Sequence, residues 1–315
     1  MTAADSGVPD WPQLIEDAAA RIASRVRTTP TIEVAMPGSP HWRLTLKLEY
    51  LQHSGSFKAR GAFNNLLART VPAAGVIAAS GGNHGAAVAY AARELGHRAE
   101  IFVPTIAAPA KIARLRECGA ELNITGANFA ETLQASETRQ AETGAMTIHA
   151  YDQLETIAGQ GTMTREFEEQ CPNLDSVVIA VGGGGLIGGA AGWLQDRKRI
   201  VAVETDGTQT LASAHAAGTP VDIDVTGLAA DALGARRLGN LAFPLTEQHV
   251  TDRLVISDEH VREAQVWLWR ELRVLVEPAG AAALAACLSG HYKPRDGEHV
   301  GVVVCGANTD PASLA

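Results

Sequence analysis

The run S-G-S-F-K-A-R-G-A-F-N-N, residues 54–65, joins two different hydrophobic patterns. Before it, Leu44, Leu46 and Leu48 alternate with Arg43, Thr45, Lys47 and Glu49, the period-two signature of a half-buried strand. After it, residues 57–68 carry apolar side chains at helical spacing, so Lys58 falls where a turn enters a helix. Backbone N–H groups and the positive end of the helix dipole disfavour a second positive charge there. A lysine held neutral is a nucleophile able to form a Schiff base with a carbonyl compound. A single lysine in a first helical turn is more often a solvated surface residue, so its surroundings have to decide.

With 315 residues the chain suffices for one large or two ordinary domains. Its 46% hydrophobic and 19% charged residues describe a soluble globular protein. The net charge of −9 is spread without a basic stripe, which argues against nucleic acid as a partner. No apolar segment approaches bilayer-spanning length, and residues 1–9 lack the basic region and apolar core of a signal peptide. Cys118, Cys171, Cys287 and Cys305 form no C-x-x-C pair, against a zinc site or a disulfide framework. A reducing cytoplasm is the expected setting.

From Val76 onward, short units alternate. Residues 76–79, 99–103, 121–125 and 146–149 read as strands, with helices over 86–95, 110–118 and 129–143 between them. Such βαβ alternation builds a parallel sheet with covered faces, and the block is the size of a small domain. A second series follows: helix 154–170, buried strand 176–181, small-residue helix 186–194, strand 199–204 and helix 209–217. Helices 258–272 and 279–288 and a last buried strand, 300–304, complete it. Ahead of all this, Leu14, Ile15, Ala18, Ile22 and Val26 recur at helical spacing, and residues 1–9 read as a loose terminus. Residues 219–247 carry no pattern that assigns them.

Ligands of open α/β sheets bind beyond the carboxyl ends of the strands, and three unusual loops stand at such ends. Ser80-Gly81-Gly82-Asn83-His84-Gly85 enters a helix, where close backbone approach and a helix N-terminus suit a carboxylate. An ordinary turn capped by Asn83 is the plainer reading. Gly182, Gly183, Gly184 and Gly185 lie between a buried strand and a helix, a nest of N–H groups suited to phosphate. Gly183, Gly185 and Gly188 also satisfy G-x-G-x-x-G, with Glu204 spaced as a ribose-binding acid, which opens an NAD-dependent oxidoreductase as a rival. The third loop, Cys305-Gly306-Ala307-Asn308, follows the last strand, where a cysteine alone is usually a buried structural residue.

Taken in order and separation, S-G-S-F-K-A-R-G-A, S-G-G-N-H-G, G-G-G-G-L and C-G-A-N resemble the fold-type II pyridoxal-phosphate enzymes, and within them the threonine/serine dehydratases and serine racemases. The likeness runs from the strand before Lys58 to the C-terminus. A dinucleotide fingerprint explains neither the lysine stretch nor the asparagine loop. The resemblance implies a two-domain α/β fold like that of tryptophan synthase β, with parallel sheets covered by helices. Residues 1–74 and 151–315 would form a large cofactor-binding domain, and 75–150 a small mobile one. It implies pyridoxal 5'-phosphate held as a Schiff base by Lys58, with Phe57 beside the ring, Asn83 on the ring hydroxyl and Cys305 facing the ring nitrogen. Gly182, Gly183, Gly184, Gly185 and Leu186 would hold the phosphate, while Ser80, Gly81, Asn83 and His84 would take the substrate carboxylate. A homodimer is expected on the same ground.

The implied reaction is conversion of L-threonine or L-serine to a 2-oxo acid and ammonia, with Lys58 removing the α-proton. Hydroxyaspartate, an aryl serine, a β-replacement or racemisation are the neighbouring alternatives. Three departures from the family pattern bear on this. Gly81 stands where racemases carry a serine, Ala86 or Ala87 where many relatives have glutamine, and Thr208 and Thr210 where metal-binding relatives add an acid after one like Glu204. Little racemisation and no metal site are therefore expected. The sequence ends soon after C-G-A-N, so no regulatory domain is expected beyond it.

Overall fold

The protein is described from a computed structural model that covers residues 9–36, 41–310 and 312. The loose terminus expected at residues 1–9 lies outside these but for Pro9. In chain order the elements begin α1 (Trp11–Ile22), β1 (Thr31–Val34), β2 (Arg43–Lys47) and α2 (Lys58–Ala68). They continue through β3 (Val76–Ala79), α3 (Asn83–Glu94), β4 (Ala99–Val103), α4 (Pro109–Glu117), β5 (Glu121–Ile124), α5 (Phe129–Thr143) and β6 (Met146–Thr147). After these come α6 (Leu154–Gln170), β7 (Ser176–Ala180), α7 (Gly185–Leu194), β8 (Arg199–Thr205), α8 (Thr210–Ala217), α9 (Ala230–Leu233) and α10 (Ala242–His249). The last are β9 (Val250–Ile256), α11 (Asp258–Leu272), α12 (Pro278–Leu288) and β10 (His299–Val303).

Two sheets result. One runs β1-β2-β10-β7-β8-β9, parallel except for β1, which pairs antiparallel with β2. The other, β5-β4-β3-β6, is parallel throughout. Strands β7 and β10 are buried along their whole length, as parallel strands covered on both faces must be. Each sheet has its own apolar core.

Helix α2 is wedged between the two. Ala59, Ala62, Phe63 and Leu66 enter the core of the four-stranded sheet. Its opposite face meets α6, where Asn64 Nδ2 donates to the Glu155 carbonyl (2.7 Å) and Asn65 Nδ2 to Thr156 Oγ1 (2.9 Å). A Cβ at Gly61 would run into Gln160, so glycine sets how closely the helices approach.

Strand order then assembles the site. Because β2 and β7 flank β10, the chain leaving each carboxyl end emerges side by side. Tyr50 N donates to the Val304 carbonyl (2.9 Å) and Phe57 N to the Cys305 carbonyl (3.1 Å). The lysine turn is thereby hydrogen-bonded to the third loop.

Candidate active site

Lys58 is the first residue of α2 and lies over the Phe57 ring, with its Nζ 5.1 Å from the ring centroid. That amine donates to the Ala150 carbonyl (2.6 Å). Enclosure of the amine lowers its pKa to about 8, against a smaller upward pull from Cys305 and Glu277. Desolvation, more than the helix dipole, is what favours the neutral nucleophile.

One cavity collects Phe57, Lys58, Asn83, Gly182, Gly183, Gly184, Gly185, Leu186, Glu277 and Cys305, together with Tyr151 and Leu233. Gly184 has φ +94° and ends the loop as the residue before α7, a conformation that glycine supplies without strain. A Cβ at Gly183 would enter the Tyr151 ring, and one at Gly182 would press on Leu233 at 3.1 Å. The first N–H groups of α7 have no carbonyl of their own helix to bond, and side chains on these glycines would fill the cradle that the loop leaves open. An anionic group fits there.

The loop 80–85 behaves differently from a capped turn. Helix α3 begins at Asn83 itself, after Gly82, and no side chain caps it. Instead the Asn83 amide reaches across: its Nδ2 donates to Glu277 Oε1 (2.6 Å), and its Oδ1 accepts from Asn308 Nδ2 (2.6 Å). Asn308 Nδ2 also donates to the Ser54 carbonyl (2.7 Å), where Ser54 sits at φ +60°. Two of the three loops singled out in the sequence, 80–85 and 305–308, are thus hydrogen-bonded to each other and to the lysine stretch. Gly81 borders a larger adjoining cavity of about 670 Å³, which shares Asn83, Ala232 and Glu277 with the first. Ser80 and His84 line neither cavity. The His84 ring is turned to the Ile148 carbonyl (Nε2···O 2.9 Å), and burial pushes its pKa down to about 3, so it stays neutral.

Cys305 donates through Sγ to the Ala279 carbonyl (3.3 Å), and burial pushes its thiol far above the ordinary range, so it stays protonated. Glu277, in the turn before α12, carried no local signal in the sequence: it precedes Pro278 and resembles any helix-start acid. Its carboxyl is pushed up to about 7 by burial. Glu204, the acid of the dinucleotide reading, is buried and spent on the start of α8, accepting from Leu211 N (2.6 Å) and Ala212 N (2.9 Å). It faces no ribose. Among the described residues no group of three or more His, Cys, Asp or Glu is arranged around a common point for a metal, and no helix is long and apolar enough to cross a membrane.

Comparison with known proteins gives the family. Residues 22–306 match the family model described as pyridoxal-phosphate dependent enzyme. A phenylserine dehydratase of Ralstonia pickettii is 37% identical over 94% of this chain and 92% of its own. An L-threonine ammonia-lyase of Geobacter sulfurreducens is 34% identical over 96% of this chain and 76% of its own. The solved structure of maize serine racemase superposes with a TM-score of 0.90 at 35% identity, covering 96% of this chain and 95% of the other. With that match over most of its length, the chain belongs to the fold-type II pyridoxal-phosphate dependent enzymes.

Proposed function

We propose that the protein is an ammonia-lyase that removes water from a β-hydroxy amino acid, L-threonine or L-serine first among them, and releases a 2-oxo acid and ammonia. The observation that carries this reading is that one cavity brings together the desolvated Lys58 amine at the start of α2, the glycine loop 182–185 and the Cys305 thiol, which donates to the Ala279 carbonyl.

Bound pyridoxal phosphate supplies a carbonyl that joins the substrate amine and a ring that withdraws electrons from Cα. In this reading Phe57 would pack beside that ring, Asn83 would donate to its hydroxyl, and the N–H groups of residues 182–186 would hold the phosphate. The amides at the start of α3, with Gly81 and Gly82, receive the substrate carboxylate. Lys58 Nζ takes the Cα proton. A neutral thiol at Cys305 gives the ring nitrogen no strong acid, so negative charge is not stored at Cα. The electron pair would instead form the Cα–Cβ double bond as the β-hydroxyl leaves with the proton that Lys58 Nζ has taken up, so that water departs. The enamine, freed when Lys58 Nζ takes its nitrogen's place on the carbonyl carbon, would tautomerise to an imine and hydrolyse to the oxo acid and ammonia.

Residues 75–150, which hold the four-stranded sheet, are proposed as the small domain that closes on substrate, against a large domain formed by the remainder. The Lys111–Asp231 ion pair spans the mouth between the two. A cytoplasmic homodimer belongs to the same reading.

One observation favours a second substrate class. The larger cavity is walled by Ala86, Ala108, Ala110, Ala113 and Leu115, small or apolar residues that leave room for an aryl substituent. Formation of 2-oxo acid by the cofactor-loaded protein from L-threonine, L-serine, hydroxyaspartate and phenylserine tests both. Turnover of any of them supports the dehydratase reading and ranks its substrates. Silence from the whole panel, with the cofactor bound, removes it.

A further inference from the structure

Asn83 has one orientation available to it. The Ser54 carbonyl can only accept, so the Asn308 group facing it is the NH2, and the same Nδ2 reaches Asn83. The Asn83 atom opposite must accept and is therefore Oδ1, which turns its Nδ2 to Glu277 Oε1 at 2.6 Å. An amide nitrogen has two hydrogens. One is taken by Glu277, and the other is left for the cavity that Asn83 lines.

Glu277 is itself held for this task. It is only 5% exposed, and the backbone N–H of Asn308 donates to its carboxyl. Gly306 leaves the space in which the carboxylate lies, since a Cβ there would collide with Oε1. The charged or titratable groups around it are Lys58 of α2, Lys111 of α4, Asp231 of α9 and Cys305 after β10. None of them donates a hydrogen bond that would compete for the Oε1 contact.

We propose that Glu277 is a positioning residue: its carboxylate fixes and polarises the Asn83 amide so that the remaining N–H is presented to the ring hydroxyl oxygen of the bound cofactor. This rests on the assignment of Asn83 to that oxygen. Nothing in the local sequence marks Glu277, and its effect is confined to one atom of the ligand. That confinement makes it separable from a general structural role.

The test uses the apoprotein and two probes, pyridoxal phosphate and its 3-deoxy analogue, which lacks the ring hydroxyl. Dissociation constants are measured for both with wild type, Asn83→Ala, Glu277→Gln and Asn83→Ala/Glu277→Gln. Asn83→Ala and Glu277→Gln should each weaken pyridoxal phosphate by about tenfold, the worth of one charge-assisted hydrogen bond, and leave the analogue unchanged. The double variant should lose no more than Asn83→Ala alone. If Asn83→Ala weakens both probes alike, the Asn83 assignment falls and the proposal with it. If Asn83→Ala discriminates and Glu277→Gln does not, the assignment stands and the proposal is overturned. Glu277→Asp, which keeps the charge but withdraws its reach, should discriminate as Glu277→Gln does, and it carries the test if the glutamine variant does not fold.

Discussion

Lys58 Nζ donates to the carbonyl of Ala150 across 2.6 Å, which ties the first residue of α2 to the chain that leaves β6. The amine is thus held at the junction of the two sheets and not on a solvated helix face. In the proposed reading, replacing it removes both the cofactor's anchor and the base. Lys58→Ala should cost at least the 10²- to 10⁴-fold typical of a lost general base, about the limit of detection, and should abolish the yellow absorbance of the loaded protein. Residual turnover at a tenth of wild type would sink the assignment.

Arg60, two residues on, is almost fully buried and bonds Glu49 (2.6 Å from Nε to Oε1) and Glu166 (3.0 Å from Nη2 to Oε2). Lys47 shares Glu166, joining β2, α2 and α6 under the site. Arg60→Ala strands Glu49, which has no solvent exposure. Loss of one partner of a buried pair should lower apoprotein stability by about 3–5 kcal/mol, read from urea unfolding. A loss under about 1 kcal/mol, the range of surface pairs, would mean the network relaxes or admits water.

Much of this was written in local pattern. Strand 76–79 and helices 129–143, 154–170 and 258–272 fall where the sequence pattern puts them, and the last buries Val261, Ala264, Gln265 and Leu268 along one face. Strands β1 and β9 did not show. The first is four residues at a sheet edge with its two central side chains exposed, and the second carries Asp252, paired with Arg199, among its apolar residues. Residues 219–247 are held by distant single bonds, such as Leu228 N to Asp258 Oδ2 (2.6 Å) and Leu241 N to Asp152 Oδ1 (2.9 Å). No local pattern records bonds of that kind, though this segment supplies Ala232 and Leu233 to the cavity. Lys58 and the glycine loop were legible because their chemistry depends on neighbours in sequence. Glu277 was not, because its partner is 194 positions away.

Gly81 has room for a side chain: among the described residues the only heavy atom within 4 Å of an added Cβ is Val103 Cγ1 at 3.8 Å. Gly81→Ser should therefore fold normally and place a hydroxyl in the loop 80–85. If racemisation is weak because no acid stands there, the variant should raise the ratio of D-serine formed to water eliminated by about tenfold or more, the lower part of what a positioned acid contributes. Chiral analysis of the serine pool checks this, and an unchanged ratio would refute the argument from the missing acid.

Gly183 offers no such room, since a Cβ would enter the ring of Tyr151. Gly183→Ala must displace either the loop or the tyrosine. Cofactor affinity should fall about tenfold or more, equivalent to one lost hydrogen bond at the phosphate. Gly183→Ala/Tyr151→Ala, which empties the ring's place, should recover part of it. Equal affinity in wild type and Gly183→Ala would show that the cradle is not where phosphate binds.

Stability of the apoprotein against pH isolates the buried carboxyl of Glu277. Burial raises it from 4.5 to about 7, with Asp231 reinforcing the shift and Asn83 and Lys111 opposing it. Between those values the folded chain keeps a proton that the unfolded chain has released, so this group's contribution is fully present below about pH 4.5 and is lost as pH rises through 7. At its full extent the loss is on the order of 3 kcal/mol. His84, pushed down to about 3, acts in the opposite sense across acid pH, so the quantity to read is the difference between wild type and Glu277→Gln. That difference in urea midpoint should favour wild type at pH 5 relative to pH 7.5. Parallel profiles across the window would mean that Glu277 is ionised at both ends, with its charge met by the hydrogen bonds from Asn83 and Asn308.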